Sequence, residues 1–185
     1  MLSTPFSRVN ADFSTVAHGR ACELVYPRFF GVVPDQLTVE DVTGVHSALD
    51  TELGVDRVIR VTTQSLHQPL TFTVQERFRR PRFKGFRDIT LTEWNLNSDL
   101  PSELYKIHAD YFMYAYFDDA AGQFVGETVI VNVPSLKRRL GAAQIEWSRR
   151  ENPRSNQVFM SLTFDELRRV GVCACYINWD VRGNA

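Results

Sequence analysis

The chain has 185 residues, 44% of them hydrophobic and 23% charged, a composition that suits one folded domain with a sizeable core and excludes a low-complexity polypeptide. A formal net charge of −1 excludes a uniformly basic nucleic-acid binder but leaves room for a local basic patch, because binding depends on where charges sit. No apolar run approaches the length of a membrane span, MLSTPFSRVN lacks a signal-peptide core, and Cys22, Cys173 and Cys175 fit no CxxC or disulfide-framework spacing, so a reduced cytoplasmic protein without a membrane partner is expected.

Along the chain, Val16, Cys22, Leu24, Val25 and Phe29 recur at roughly helical spacing and predict a helix over Asp12 to Phe30. Ser14 would cap its start, and Pro27 would kink or end it. Glu23 lies within it between apolar neighbours. It is an exposed helix glutamate unless it looks toward Asp56. Residues 31–43 read as loop, and 45–49 as a short strand or turn. Gly54 marks a tight turn, after which Val55 to Val61 is rich in β-branched residues and predicts a strand. His67, Gln68 and Pro69 mark a hairpin connection into a second strand, Leu70 to Arg79. There the alternation puts Phe72, Val74, Glu76 and Phe78 on one face and Thr73, Gln75, Arg77 and Arg79 on the other. Glu76 thus points into an otherwise apolar face.

A basic run follows: Arg77, Arg79, Arg80, Arg82, Lys84 and Arg87, with Phe83 and Phe86 interleaved and no acid among them. It reads either as a solvated face or as a nucleic-acid groove. Asp88 to Trp94 predicts a third strand, Ser102 to His108 a short helix capped by Ser102, and DYFMYAYF (110–117) a buried strand. Residues 118–122 form a turn, 124–133 the returning strand ended by Pro134, and 135–140 a helix. Residues 149–156 read as loop, 158–162 as strand, and 164–170 as a helix capped by Thr163, while 173–185 resist assignment. His18, His46, His67 and His108 lack ligand spacing and read as structural or surface residues.

An acid opening one strand and a Gln-Glu-Arg triplet inside the next are costly, since a buried charge costs several kcal/mol (roughly) unless paired or bound to metal. Hydrolysis of a phosphodiester requires charge neutralisation, an activated water and a stabilised leaving oxygen, all of which a carboxylate-held magnesium supplies. Magnesium needs few protein oxygens, because it keeps several waters. Asp56 with Gln75 or Glu76 would furnish them, and Arg77 would hold the phosphate.

HGRACELVYPRFFG, LGVDRVI and TVQERFR, in that order, resemble the first helix, the metal-binding aspartate strand and the (D/E)xK strand of the PD-(D/E)xK nuclease superfamily, and within it the archaeal Holliday-junction-resolvase-like branch. The resemblance runs from His18 to about Phe117, with SELYKIHADYFMYAYFD similar to the helix-and-strand continuation. It implies a restriction-endonuclease-like α/β fold, a central mixed β-sheet flanked by helices, with residues 1–185 as a single domain. It further implies a DNA endonuclease using Mg2+ or Mn2+, with a homodimer left open. Glu23 would bind the metal or its water, Asp56 would be the central ligand, Gln75 would take the acidic ligand position and Arg77 the lysine position. If Glu76 turns into the site instead, it restores the missing charge. Arginine holds its proton too firmly to act as a general base. Arg79, Arg80, Arg82, Lys84 and Arg87 would contact DNA phosphates. The alternative is a nuclease-fold module that has lost catalysis and binds DNA or a protein partner.

Overall fold

A computed structural model of the chain describes residues 5–44, 47–63, 67–95, 103–152 and 157–181. In chain order the elements are α1 (Pro5–Leu24), α2 (Tyr26–Phe30), β1 (Leu37–Asp41), α3 (Ala48–Thr51), β2 (Arg57–Val61), β3 (Leu70–Arg79), β4 (Asp88–Asn95) and α4 (Glu103–Lys106). Then come β5 (Tyr111–Asp118), β6 (Gln123–Asn132), α5 (Val133–Gly141), β7 (Ser148–Asn152), β8 (Gln157–Thr163), α6 (Phe164–Arg169) and β9 (Cys173–Asn178).

Six strands form a central mixed sheet in the order β1-β2-β3-β5-β6-β9, flanked by helices, which is the expected fold class. Its neighbours are antiparallel except β3 and β5, which run parallel from Val74↔Tyr111 to Arg79↔Tyr116. A parallel pair needs a long crossover. Here the crossover carries β4, which joins β8 and β7 in a second, three-stranded sheet.

β5 explains the layering. Met113, Ala115 and Phe117 pack with Phe13, Ala17 and Ala21 of α1 on one face. Phe112, Tyr114 and Tyr116 pack on the other against Ile89, Leu91 and Leu162 of the small sheet and Phe164 of α6. A strand covered on both sides needs apolar residues at both parities, which is why DYFMYAYF shows no alternation.

Several boundaries differ from the sequence expectations. The first helix begins at Pro5, so Ser14 lies inside it and does not cap it. It breaks at Val25, and Pro27 falls in the first turn of α2, where a missing N–H costs nothing. Residues 37–41, expected as loop, are edge strand β1, and 148–152 are edge strand β7. Edge strands carry charge and leave one side to water, so LTVED and SRREN lack the usual strand pattern. Pro134 does not so much stop a strand as start α5, in which the Asn132 side chain accepts from Ser135 N. Residues 173–178, unassigned from sequence, close the central sheet as β9. The Ser102 cap, His46 and parts of the 45–49 and 149–156 readings lie outside the described residues. Thr163 caps α6 as expected, accepting from Glu166 N at 3.1 Å.

Phe117 is fully buried against Phe13 and Phe124. Phe117→Ala should cost about 3–5 kcal/mol of unfolding free energy in a urea titration, a core cavity's usual penalty. A change within 1 kcal/mol (roughly the surface-substitution range) would mean that α1 does not pack there.

Candidate active site

Four-residue spacing from α1 into the start of α2 brings His18, Cys22 and Tyr26 to one side, facing β3. The Glu76 carboxylate meets all but Cys22 directly. His18 Nδ1 stands 3.1 Å from it, Arg57 Nε donates to Oε2 at 3.1 Å, and the Tyr26 hydroxyl donates to Oε1. Arg57, itself 6% exposed, also pairs with Asp41 and donates to the Asp56 carbonyl at 3.1 Å. The remaining His18 nitrogen, Nε2, lies 3.4 Å from Cys22 Sγ. Burial alone would lower the His18 pKa, but the bonds to Cys22 and Glu76 and the charge of Glu76 outweigh it and raise it to about 9. Nδ1 is also 2.9 Å from Arg57 Nε. A protonated ring cannot accept there, so Nδ1–H donates to Glu76 and the Arg57 Nε–H goes to Oε2. In the same way burial raises the Asp41 carboxyl, yet hydrogen bonds from Thr43 and the Arg57 charge bring it below its ordinary value.

Asp56 precedes β2 and is held by backbone. Its N–H donates to Val74 O at 2.9 Å, and Glu76 N–H donates to its Oδ2 at 2.7 Å. Because Arg57 pairs with Val74, Asp56 stands across from Gln75. Gly54 makes this approach feasible: its φ is +56°, and a Cβ there would lie 3.2 Å from Gln75 Oε1 and 3.3 Å from Ile107 Cα. Gln75 Oε1 is buried and has no hydrogen-bond partner among the described residues. Burial first, then the negative charges of Glu76 and Asp50, push the Asp56 carboxyl up to about 6, against the pull of Glu76 N–H and Arg57. Asp56 and Gln75 border a cleft of about 360 Å³ that Ser14, Thr15, Asp41 and Glu76 also line.

The other expected residues are occupied elsewhere. Glu23 is exposed and paired with Arg20, so it does not look toward Asp56. Arg77 is held by Glu103 and by Thr90 O at 3.1 Å, on the opposite side of β3 from Glu76. In the basic run Arg79 and Arg82 stack on Phe83, at 4.7 and 4.8 Å from Cζ to the ring centre, and Arg80 stacks on Phe13. Lys84 pairs with Asp180 at 3.2 Å, and Arg87 with Glu127 at 2.9 Å and Asp165 at 3.4 Å. Sequence reasoning missed His18, Tyr26 and Arg57. The 18-22-26 period was a signal for His18 and Tyr26, and Arg57 had none.

No group of three His, Cys, Asp or Glu side chains among the described residues is arranged to hold a metal ion. The donor chemistry still suits a hard cation with few protein ligands: one carboxylate and an orphaned amide oxygen, both oxygen donors. Glu76 does not suit it, because its oxygens are already taken by two cations and a phenol.

No protein-family model and no curated protein sequence matches the chain. Among solved structures it is similar to D212, a nuclease from a fusselovirus, at 9% identity and a TM-score of 0.35, over 93% of this chain and 95% of that one. A likeness that distant carries no argument about activity. No helix among the described residues is long and apolar enough to cross a membrane.

Asp56 carries a folded-state pKa of about 6 against an ordinary 3.8. Its ionisation therefore costs nothing below the unfolded value and opposes folding increasingly as pH rises through 6. Asp56→Asn should raise thermal stability at pH 7.5 by about 2 kcal/mol and change it little at pH 4. Equal effects at both pH values would contradict a strained carboxylate. For His18 the pH dependence has the same sign in a higher window: raised from 6.5 to about 9, it stabilises fully below pH 6.5, and that contribution is lost as pH climbs through 9.

Proposed function

We propose that the chain is a metal-dependent DNA endonuclease of the PD-(D/E)xK type, in which Asp56 and Gln75 hold Mg2+ or Mn2+ at the end of the β2–β3 hairpin. One observation carries the reading: Asp56 and Gln75, cross-strand neighbours that line one cleft, bring to it a carboxylate whose charge is opposed by burial and by neighbouring acids and a buried amide oxygen with no partner among the described residues. A divalent cation relieves both penalties at once.

Such an ion, when bound, neutralises a phosphate oxygen and makes its water a nucleophile near neutral pH. The chain's own residues do the rest. Asp56 is fixed by the Glu76 N–H, so one oxygen is oriented by backbone and the other is left for the cleft. Arg57 and His18 neutralise Glu76, and among the described residues no ion pair is made by Asp56. Arg77 shares the Gln75 side of β3 and offers a fixed positive charge to a phosphate. It serves as an electrostatic group only, since guanidinium does not give up its proton. Of the basic run, the exposed parts of Arg82, Lys84 and Arg87 would extend the positive charge past the end of β3, while Arg79 and Arg80 are half-buried.

A second reading, a nuclease-fold module without catalysis, is favoured by one contact: the cation in the lysine position is tied to Glu103. A cleavage series separates the two. Wild type, Asp56→Ala and Gln75→Glu are assayed on plasmid and branched DNA in magnesium and in manganese, with manganese binding followed by calorimetry. The expected result is metal-dependent cutting that Asp56→Ala abolishes without unfolding the chain, and tighter metal binding by Gln75→Glu. Wild-type protein that binds no manganese and cuts nothing overturns the enzyme and leaves the module. In DNA-binding assays, neutralising the exposed pair Arg82 and Lys84 should flatten the slope of log affinity against log salt by about two units. An unchanged slope would remove them from the interface.

A further inference from the structure

Cys22, His18 and Glu76 form a chain of the kind that activates nucleophiles. Sulfur stands 3.4 Å from one imidazole nitrogen, and the other nitrogen is 3.1 Å from a carboxylate that orients it. The thiol and the imidazole sit four residues apart on α1, so the helix itself sets their separation. The carboxylate comes from β3, buried to 4% side-chain exposure, and is fixed by Arg57 and the Tyr26 hydroxyl. Both ends remain reachable: Cys22 is a free, partly exposed thiol, and the His18 side chain is 18% exposed. Cys22 itself has no part in the proposed metal site of Asp56 and Gln75.

We infer that Cys22 is a reactive thiol, and that the ligand class it takes is a small peroxide. A protonated imidazole beside a thiol favours the thiolate, which is the reactive form. The sulfur attacks one peroxide oxygen, the S–O bond forms and the O–O bond breaks. The departing hydroxide takes the Nε2 proton of His18 and leaves as water. Sulfur is oxidised to the sulfenic acid, and the peroxide is reduced. The groups that set this chemistry are Cys22 and His18 on α1, Tyr26 on α2, Glu76 on β3 and Arg57 on β2, with Asp41 of β1 paired to Arg57.

The chain contains its own controls. Burial raises the Cys173 thiol to about 11 and pushes Cys175 up as well. Both should react slowly.

The test treats the intact protein with hydrogen peroxide, traps sulfenic acid with dimedone and reads each cysteine by peptide mass spectrometry. No DNA or metal is present, so the outcome is independent of the nuclease reading. Cys22 should label at least about tenfold faster than Cys173 and Cys175, and His18→Gln, checked for folding by circular dichroism, should bring it down to their level. A wild-type measurement guards against a variant that fails to fold. In the wild-type protein the rate of Cys22 alkylation by iodoacetamide at about pH 7 should likewise exceed that of Cys173 and Cys175 by at least about tenfold. Labelling or alkylation of Cys22 no faster than that of the controls overturns the inference.

Discussion

The carboxylate of Glu76 is the constraint on which the site depends. It is nearly inaccessible, yet it stands on a strand face otherwise given to Val74, Phe72 and Phe78. A charge there is tolerable only because Arg57, His18 and Tyr26 converge on it from β2 and the two N-terminal helices. Removal of one partner from such a set leaves the others buried and uncompensated, which commonly costs about 3–5 kcal/mol. The cluster therefore ties α1 to the sheet in one rotational setting, and Ala17, Ala21 and Phe13 pack in that setting.

β3 then carries two different jobs on its two sides. Glu76 looks to α1. Arg77 looks the other way, to Thr90 of β4 and Glu103 of α4. The two sides communicate through the backbone, since Glu76 donates its N–H to the Asp56 carboxylate while its own side chain is held by α1. A shift of β3 by one residue would exchange the sides and destroy both arrangements. The parallel pairing with β5, buried on both faces, resists such a slip.

The basic run shows how charge that looks free along the chain becomes paired in space. Its acids come from far away in sequence: Asp119, Glu127, Asp165 and Asp180. The segment folds as a 3-10 turn over 81–86, with Lys84 packed 3.4 Å from where a Gly126 side chain would begin. Arg87, at φ +46°, turns the chain into β4 and accepts from Phe164 N through its carbonyl. Part of the run's positive charge thus joins the two sheets. What remains available to an anion is the exposed fraction of Arg82, Lys84 and Arg87.

Local order was legible in the sequence. Alternation gave the two sides of β3, β-branched content gave β2, the unbroken aromatic run gave a buried β5, and Thr163 gave the start of α6. These depend on neighbours within a few residues, which is the range over which a one-dimensional pattern carries information. The setting of α1 was not legible. Val16 and Leu24 are half-exposed apolar residues while Ala17 and Ala21 are fully buried, so hydrophobicity alone does not say which side faces inward. On that choice turned Glu23, which went to solvent with Arg20, and His18, which went to Glu76. Strands β1 and β7 were hidden for a related reason: an edge strand is held by hydrogen bonds to a partner that the sequence does not name, and its side chains face water. The tertiary structure decided both, because a partner across the sheet and a phase around a helix axis are set by packing between segments distant in the chain.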